Sequence, residues 1–250
     1  MNLEICVDSV ESAVAAEAGG AQRVELCCGL AEGGLTPSAG LLRAVRSRIK
    51  IGIHVMIRPR GADFLYSEDE LSIMRDDIAV AAQSGADGVV FGLLKTNGDV
   101  DVERTRELVE LAHPMEVTFH RAIDMSRDLE ASLESVIEAG AKRILTSGAA
   151  VNATQGSPRI AGLVQLAGDR IQIMVAGSIR PENVAQIATE TRAQHFHAAL
   201  RTLIPSAMKY ENRTVHLGTP DADDYARYVS RAEDVRRLRH AMDEIDGIRH

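Results

Sequence analysis

One short pattern occurs at three places in the chain, and the distance between its copies constrains the fold more than any other feature. Each copy ends an amphipathic segment and places a glycine and an alanine directly before a β-type apolar run, at residues 18–24, 84–90 and 139–145. A glycine there can adopt the left-handed conformation that closes the last turn of a helix. A weaker fourth copy, residues 191–196, has Arg192 where a glycine is expected.

The aligned alanines of these copies predict the number of strands. Ala21, Ala86, Ala141 and Ala193 are separated by steps of 65, 55 and 52 residues. Each step is too long for one strand and its crossover helix, and it suits two such units. Four double units give eight strands and eight helices. The sequence therefore predicts an α/β fold that is a single (β/α)8 TIM barrel.

The chain length fits one such barrel, and we predict a single TIM-barrel domain over residues 1–250. The tail differs from the repeats. Residues from about 209 to 224 are polar and include Pro220, which indicates an irregular loop. Residues from about 225 to 245 carry an apolar stripe that includes Val235 and Leu238, which predicts the last barrel helix. This helix could also carry the contact of a homo-oligomer.

The composition bounds the partners and the compartment. A formal net charge of −8 argues against nucleic acid and against an anionic membrane surface as partners. No apolar run approaches the roughly 20 residues that a bilayer requires, and we expect no secretory signal at the N-terminus. Three cysteines, an odd number, make a disulfide framework improbable. We therefore expect a reduced, cytoplasmic protein.

Strand alternation predicts a polar barrel interior. Side chains alternate across a strand, and in the predicted strands one set is branched and apolar, as in Leu3, Ile5 and Val7. A lumen used only for packing would hold Val, Ile and Leu, and buried charges are costly unless they are paired. The interior is therefore either a structural ion-pair network or a site open at the carboxyl rim. The set predicted to face inward is Glu4, Cys6, Glu25, Cys27, His54, Met56, Arg58, Thr118, His120, Met174, Ala176, His195 and His197.

Three titratable residues of this region are candidates for acid–base chemistry. His120 leaves the fifth predicted strand and can act as a general acid or base near neutral pH. Asp124 follows it closely and could either orient His120 or cap the following turn. Glu25, predicted to face the lumen, could assist a proton transfer.

Several residues at the strand ends suit an anionic ligand. Pro59 stiffens the segment between Arg58 and Arg60, and paired guanidinium groups bind carboxylate or phosphate in a bidentate manner; a surface ion pair is the alternative. The loop after the seventh strand contains Gly177 just before a helix, where backbone amides favour an anion. The candidate anion-binding or substrate-binding residues are Arg58, Arg60, Arg121, Ser147, Gly177 and Ser178.

The sulfur atoms suggest a different ligand. Cys6 and Cys27 are predicted at matching heights on neighbouring strands, and strands lie about 4.8 Å apart. Two inward thiolates could therefore hold one soft ion, and soft sulfur ligands select Cu(I), with Met56 as a weaker third ligand. The alternative is that both cysteines are small buried hydrophobic residues.

The sequence resembles the CutC copper-homeostasis family over essentially its whole length. The matching segments include residues 3–6, 23–27, 144–148 and 180–183, and the most specific are 57–64 (IRPRGADF) and 119–122 (FHRA). The resemblance implies a (β/α)8 barrel, a cytoplasmic location and a role in copper tolerance or trafficking. For some members it implies Cu(I) binding at the cysteines that correspond to Cys6 and Cys27. The chain departs from the family pattern at residues 198–201, after the eighth predicted strand.

These observations leave three hypotheses. The first is a cytoplasmic copper-homeostasis protein that binds Cu(I) at Cys6 and Cys27, as the resemblance implies. The second is a TIM-barrel enzyme of unassigned reaction that acts on a small anionic or phosphorylated substrate. In it Arg58 and Arg60 bind the anion and His120 moves a proton. The third is a sensor that binds the same ligand without catalysis. Copper binding alone leaves most of the polar cluster unexplained, which favours the enzyme, whereas the family resemblance favours copper. Copper homeostasis is the function we predict, and the enzyme is the alternative.

Overall fold

The computed structural model describes residues 1–217 and 223–248, and within them eight parallel strands close into one barrel. Consecutive strands are neighbours, and the last strand pairs with the first, Glu4 lying opposite His197. The predicted (β/α)8 barrel is confirmed. Its strands are β1 (Asn2–Val7), β2 (Arg23–Leu26), β3 (Gly52–Met56), β4 (Gly88–Phe91), β5 (Glu116–Phe119), β6 (Arg143–Thr146), β7 (Gln172–Val175) and β8 (His195–Ala198).

Eight helices of this part of the chain accompany the strands. They are α1 (Val10–Ala18), α2 (Ala39–Arg46), α3 (Glu68–Gln83), α4 (Val102–Ala112), α5 (Leu129–Glu138), α6 (Ala153–Ala167), α7 (Val184–Thr191) and α8 (Ala232–Ile248). Two short 3-10 helices, Leu30–Glu32 and Arg121–Met125, lie in the loops after β2 and β5. Among the helices described, none combines the length and the apolar character that a membrane span needs.

The repeated pattern marks the turns that lead into β2, β4, β6 and β8. Gly20, Gly85 and Gly140 have φ angles of 94°, 83° and 88°. Arg192 has a φ of 58° and so takes the same left-handed region without being a glycine. All four copies therefore end a helix in the same way, which is why they share a sequence signal.

The lumen and the outer core separate as the alternation predicts. Leu3, Ile5 and Val7 of β1 belong to the large apolar core between the barrel and its helices. Cys6, Cys27, Met56 and Val90 form a separate cluster inside the barrel. Because neighbouring side chains of a strand point to opposite faces, one short strand serves both regions.

The structure corrects the bounds predicted for the C-terminal helix. A two-stranded antiparallel sheet of β9 (Thr202–Pro205) and β10 (Ala226–Val229) lies between β8 and α8. The helix predicted from about residue 225 therefore begins only at Ala232, because the backbone of β10 pairs with β9 and its residues suit a strand. Within the predicted loop, residues 209–217 are irregular, and residues 218–222 lie outside the described part of the chain.

Replacing Arg192 with glycine should stabilise the protein. A left-handed residue other than glycine costs about 1 kcal/mol, and the exposed Arg192 side chain offers little in return. We expect Arg192→Gly to raise the midpoint of thermal unfolding by about 2–4 °C, the usual shift for about 1 kcal/mol in a chain of this size. Arg192→Ala keeps the strained conformation and serves as the control. A glycine variant no more stable than the alanine variant would contradict this explanation.

Candidate functional site

The lower half of the lumen is an ion-pair network centred on Glu4. The Glu4 carboxylate is fully buried, is paired with Arg23 of β2 and accepts a hydrogen bond of 2.7 Å from His197 Nδ1 of β8. Burial opposes its charge, but Arg23 and His197 hold the pKa of the Glu4 carboxyl far below its usual range. Glu4 therefore remains ionised inside the barrel and joins the strands on both of its sides.

Arg143 extends the ion-pair network in the lower half of the lumen from the other side of the barrel. Its buried guanidinium donates to Thr118 Oγ1 at 3.0 Å and to Glu116 at 2.9 Å. His54 lies near Glu116 at 3.9 Å, and burial lowers the pKa of the His54 ring to about 3, so that the ring is neutral at pH 7. For this half of the lumen, the structural ion-pair network is the interpretation that the geometry favours.

Arg23 and Arg143 were not among the residues predicted to face inward. The alternation could have identified both residues. Arg23 lies two residues before Glu25, and Arg143 lies two residues before Leu145, so each pair points to the same face of its strand. Arg23 and Arg143 are the first residues of β2 and β6, and a sequence pattern locates the ends of a strand least well.

Above this network the two inward cysteines meet. Cys6 Sγ lies 3.9 Å from Cys27 Sγ, and Cys27 Sγ lies 3.4 Å from Glu25 Oε2. His197 reaches the same group with its second nitrogen, Nε2, at 3.9 Å from Glu25 Oε2. The structure therefore brings the predicted Cys6, Cys27 and Glu25 together, with Met56 in contact with the same cluster.

The electrostatics of this group favour one thiolate. A hydrogen bond from the Cys27 thiol, reinforced by His197, outweighs burial and lowers the pKa of Cys6 to about 5. Burial disfavours the charged His197 ring, but Glu25, Cys6 and Glu4 raise its pKa well above the usual range. Burial also raises the pKa of Glu25 well above its ordinary value. These directions favour a Cys6 thiolate beside a His197 imidazolium at neutral pH.

A cavity of about 220 Å³ opens above the cysteines at the carboxyl end of the strands. Its lining is mostly apolar, with the Cys6 sulfur, Glu25 and His197 at one end and arginines at another. The residues that line it are Cys6, Glu25, Leu30, Gly33, Met56, Arg58, Phe64, His120, Arg121, Leu145, His197, Ala199 and Arg201. This is the region where loops of TIM barrels usually build their sites.

Arg58 holds the loops around this cavity. Its Nη1 donates to the carbonyl oxygens of Glu32 at 2.7 Å and Gly34 at 3.1 Å, and its Nη2 donates to that of Ala62 at 2.8 Å. The guanidinium also lies 5.0 Å from the centre of the Phe64 ring. The Nε atom is buried and has no hydrogen-bond partner among the described residues.

His120 also presents one unused nitrogen. The Ala122 backbone N–H donates to His120 Nδ1 at 3.2 Å, so the proton of the neutral ring is on Nε2. Nε2 is buried without a partner among the described residues. Burial, aided by Arg58, lowers the pKa of His120 to about 3, so the ring is a neutral donor at pH 7. Gly92 makes room for it, since a Cβ there would lie 2.6 Å from Nδ1.

Arg60 does not lie in the cavity. Its guanidinium donates to Glu70 at 2.5 Å, to Asp63 at 3.1 Å and to the Leu65 carbonyl at 2.6 Å. The predicted cooperation of Arg58 and Arg60 on one anion is therefore not what the structure shows. Arg60 is used by its own loop and by Glu70 of α3, whereas Nη1 of Arg58 reaches across to the loop after β2.

The bonds of Asp124 match neither of its two predicted roles, which were to orient His120 or to cap the following turn. Its carboxylate accepts from Thr146 Oγ1 at 2.5 Å, from the Ser147 backbone N–H at 3.0 Å and from the Ala149 backbone N–H at 3.0 Å. The structure gives it no hydrogen bond to His120, whose Nδ1 is occupied by a backbone amide. The prediction that Asp124 orients His120 is therefore wrong. It shapes the loop after β6 instead.

The remaining predicted anion-binding residues lie around this loop. Arg121 donates to Asp124 at 2.8 Å and to Ser147 Oγ at 2.8 Å, and it reaches the cavity. Ser147 is buried and donates to the Ala150 carbonyl oxygen. Gly177 and Ser178, with φ angles of 100° and 59°, form the turn after β7 and do not line the cavity. Of the predicted anion-binding residues, Arg58 and Arg121 therefore line it.

The fold and this lumen define a class: a (β/α)8-barrel protein with a thiol and carboxyl cluster under a cavity at the carboxyl end of its strands. The model of the CutC family matches residues 1–202. The chain belongs to the CutC family.

Named relatives are similar along nearly the whole chain. A CutC family protein of Chromobacterium violaceum is 49% identical over 242 residues, which cover 97% of this chain and 98% of the relative. A human protein named as a copper homeostasis protein cutC homolog is 45% identical over 237 residues, covering 94% of this chain and 87% of the relative.

Solved structures agree on the fold. CutC from Streptococcus agalactiae superposes with a TM-score of 0.75 at 33% identity, covering 79% of this chain and 97% of that one. A thiamine phosphate pyrophosphorylase from Pyrococcus furiosus superposes with a TM-score of 0.60 at 16% identity, covering 98% and 96%. The second likeness concerns the fold alone.

The buried neutral histidines predict a loss of stability in acid. A ring whose folded pKa is near 3 and whose unfolded pKa is about 6.5 binds more protons when unfolded, so stability is complete above pH 6.5 and falls toward pH 3. Each such histidine contributes a slope of up to about 1.4 kcal/mol per pH unit. We expect His120→Asn, whose side-chain oxygen can still accept from Ala122, to flatten the decline of the unfolding midpoint between pH 6.5 and 4.

The matched control is His240→Asn, which changes an exposed ring on α8. This variant should keep the wild-type decline. Identical pH profiles for wild type and His120→Asn would show that His120 is not held neutral in the folded protein.

Proposed function

We propose that the protein binds Cu(I) as its cargo through Cys6 and Cys27 and serves copper homeostasis in the cytoplasm. The observation that carries the proposal is the pair of buried sulfur atoms 3.9 Å apart inside the barrel. This spacing lets one ion placed between them contact both. The human relative's name, a copper homeostasis protein homolog, supports the same cargo.

The chemistry of the donor set fits a soft monovalent ion. Thiolate and thioether sulfur favours Cu(I), whereas hard divalent ions prefer several oxygen ligands. Met56 packs in the same cluster as the two cysteines and offers a thioether. Burial raises the pKa of the neighbouring Glu25 well above its ordinary value, which disfavours the carboxylate form that a hard cation binds.

The charges around the sulfurs favour Cu(I) binding and make it depend on pH. The Cys6 thiolate is available at neutral pH, so it can bind Cu(I) without first losing a proton. Cys27 must lose its proton to become a second thiolate ligand, and its pKa is raised, first by its hydrogen bond to Cys6 and then by burial. Binding by both sulfurs therefore releases a proton and strengthens as the pH rises.

The cavity supports access to the site. Cys6 and Met56 both line it, so an ion that enters from the carboxyl rim meets sulfur directly. Three free thiols, two of them within contact distance, suit a reducing compartment and support the cytoplasmic assignment.

The cysteine variants test this function. We expect Cys6→Ser combined with Cys27→Ser to lower the Cu(I) affinity by about 100-fold or more, measured by competition with a chromophoric Cu(I) chelator under anaerobic conditions. The third cysteine is the matched control. Cys28 lies outside the lumen cluster, and its thiol donates to the Thr36 carbonyl oxygen at 3.0 Å, so Cys28→Ser should bind copper as the wild type does.

The stoichiometry gives a second measure of the same proposal. One Cu(I) per chain is expected, and X-ray absorption of the loaded protein should report sulfur in the first coordination shell. Unchanged affinity in the double variant, or a first shell without sulfur, would refute the assignment of copper to this site.

A further inference from the structure

Arg58 is a buried cation without a counter-charge. Arg58 is only 6% exposed. Among the described residues, no carboxylate oxygen lies within 4 Å of its guanidinium nitrogens, the limit for an ion pair. Backbone carbonyl oxygens satisfy Nη1 and Nη2, while Nε has no partner. A buried charge and a buried unpaired donor both cost free energy, so the arrangement is incomplete as it stands.

His120 offers a second unused donor beside it. The residue is 4% exposed, and its Nε2–H has no partner among the described residues. Arg58 and His120 flank one ring, because the guanidinium lies 5.0 Å and the imidazole 4.8 Å from the centre of Phe64. Both residues line the same cavity. Two residues that each carry a buried, unused donor, one of them cationic, thus line a common space.

We propose that this cavity binds a small organic anion, whose acid group accepts hydrogen bonds from Arg58 Nε and His120 Nε2. An acid group there would supply both the missing counter-charge and the missing acceptors. Charge-assisted hydrogen bonds of this kind are the strong ones in proteins. The site uses no sulfur ligand, so the inference goes beyond copper binding.

The size and the walls of the cavity limit the rest of the ligand. A cavity of about 150 Å³ accommodates benzene, so about 220 Å³ suits a molecule of roughly eight to ten non-hydrogen atoms. Leu30, Met56, Phe64, Leu145 and Ala199 make most of the wall apolar. The expected ligand therefore has one acid group and a short apolar body, such as a branched carboxylate or a small phosphate ester.

The entrance favours an anion although the protein is acidic overall. Arg121 and Arg201 both reach the cavity, and Arg201 stacks 4.3 Å above the ring of Tyr228 in β10. Local cationic groups at the mouth of an apolar pocket raise the encounter rate of an anion even where the net charge is negative. The two-stranded sheet of β9 and β10 thereby positions one of the entrance charges.

The charge of the ligand is tested with matched probes. Calorimetric titration of the purified protein would compare 4-methylpentanoate with 4-methylpentanamide, which has the same shape without the charge, and with isobutyl phosphate. We expect at least one anion to bind about tenfold or more tightly than the amide. The stronger of the two anions identifies carboxylate or phosphate as the preferred head group. Equal binding of amide and anions, or no binding of either anion, would overturn the proposal.

Variants then locate the site without disturbing the loops that Arg58 holds. His120→Asn keeps an acceptor for Ala122 but removes the donor at Nε2, and we expect it to weaken anion binding about fivefold. Arg201→Gln should weaken binding less and reduce its dependence on salt. Arg127→Gln, an exposed arginine paired with Asp99, is the control and should bind as the wild type. Unchanged affinity in both His120→Asn and Arg201→Gln would place the anion elsewhere and refute this site.

The double cysteine variant separates this proposal from copper binding. Cys6→Ser with Cys27→Ser should lose Cu(I) and still bind the anion, because Arg58 and His120 are untouched. Loss of anion binding in this variant while its unfolding midpoint stays that of the wild type would refute an anion site built on Arg58 and His120.

Discussion

The carboxylate of Glu4 is the constraint on which the rest of the lumen depends. It lies on β1, opposite Arg23 of β2 and opposite His197 of β8, and it binds both. One buried group therefore links the first strand to its neighbours on either side, including the strand that closes the barrel. Breaking one partner of such a group is far more costly than the net value of the contact, because the other charge is left buried alone.

The same contact determines the chemistry above it. Glu4 holds Nδ1 of His197, so the opposite nitrogen, Nε2, is directed toward Glu25 and the cysteines. A charged imidazolium at that height favours a thiolate on Cys6, whereas burial outweighs the imidazolium at Glu25 and raises the pKa of that carboxyl. The ion-pair network around Glu4 therefore influences the protonation of the groups that face the cavity.

Several polar groups in the upper part of the lumen have no hydrogen-bond partner in the part of the chain that the structure describes. Glu25 Oε1, Arg58 Nε and His120 Nε2 are buried without partners among the described residues, and all three belong to residues that line one cavity. Native proteins rarely leave such atoms unpaired, and clusters of them mark places where a ligand completes the structure. A copper ion would bind at the cysteines, and an organic anion would bind at Arg58 and His120.

By itself the sequence determined the barrel and most of the side chains that face its lumen, although not Arg23 and Arg143. The spacing of the glycine–alanine pattern counted the strands, and the alternation along β1 and β2 placed Glu4, Cys6 and Glu25 inside, because both signals are local and periodic. Only the tertiary structure decided which guanidinium groups were free and which were used. Arg58 and Arg60 look alike in the sequence, but the fold of their loops turns Arg60 toward Glu70 and leaves Nε of Arg58 without a partner among the described residues. It likewise decided that residues 226–229 pair with β9 instead of extending α8, since strand pairing depends on a segment more than twenty residues away. Hydrogen-bond partners of that kind are set by three-dimensional contact, and no pattern of spacing within the chain encodes them.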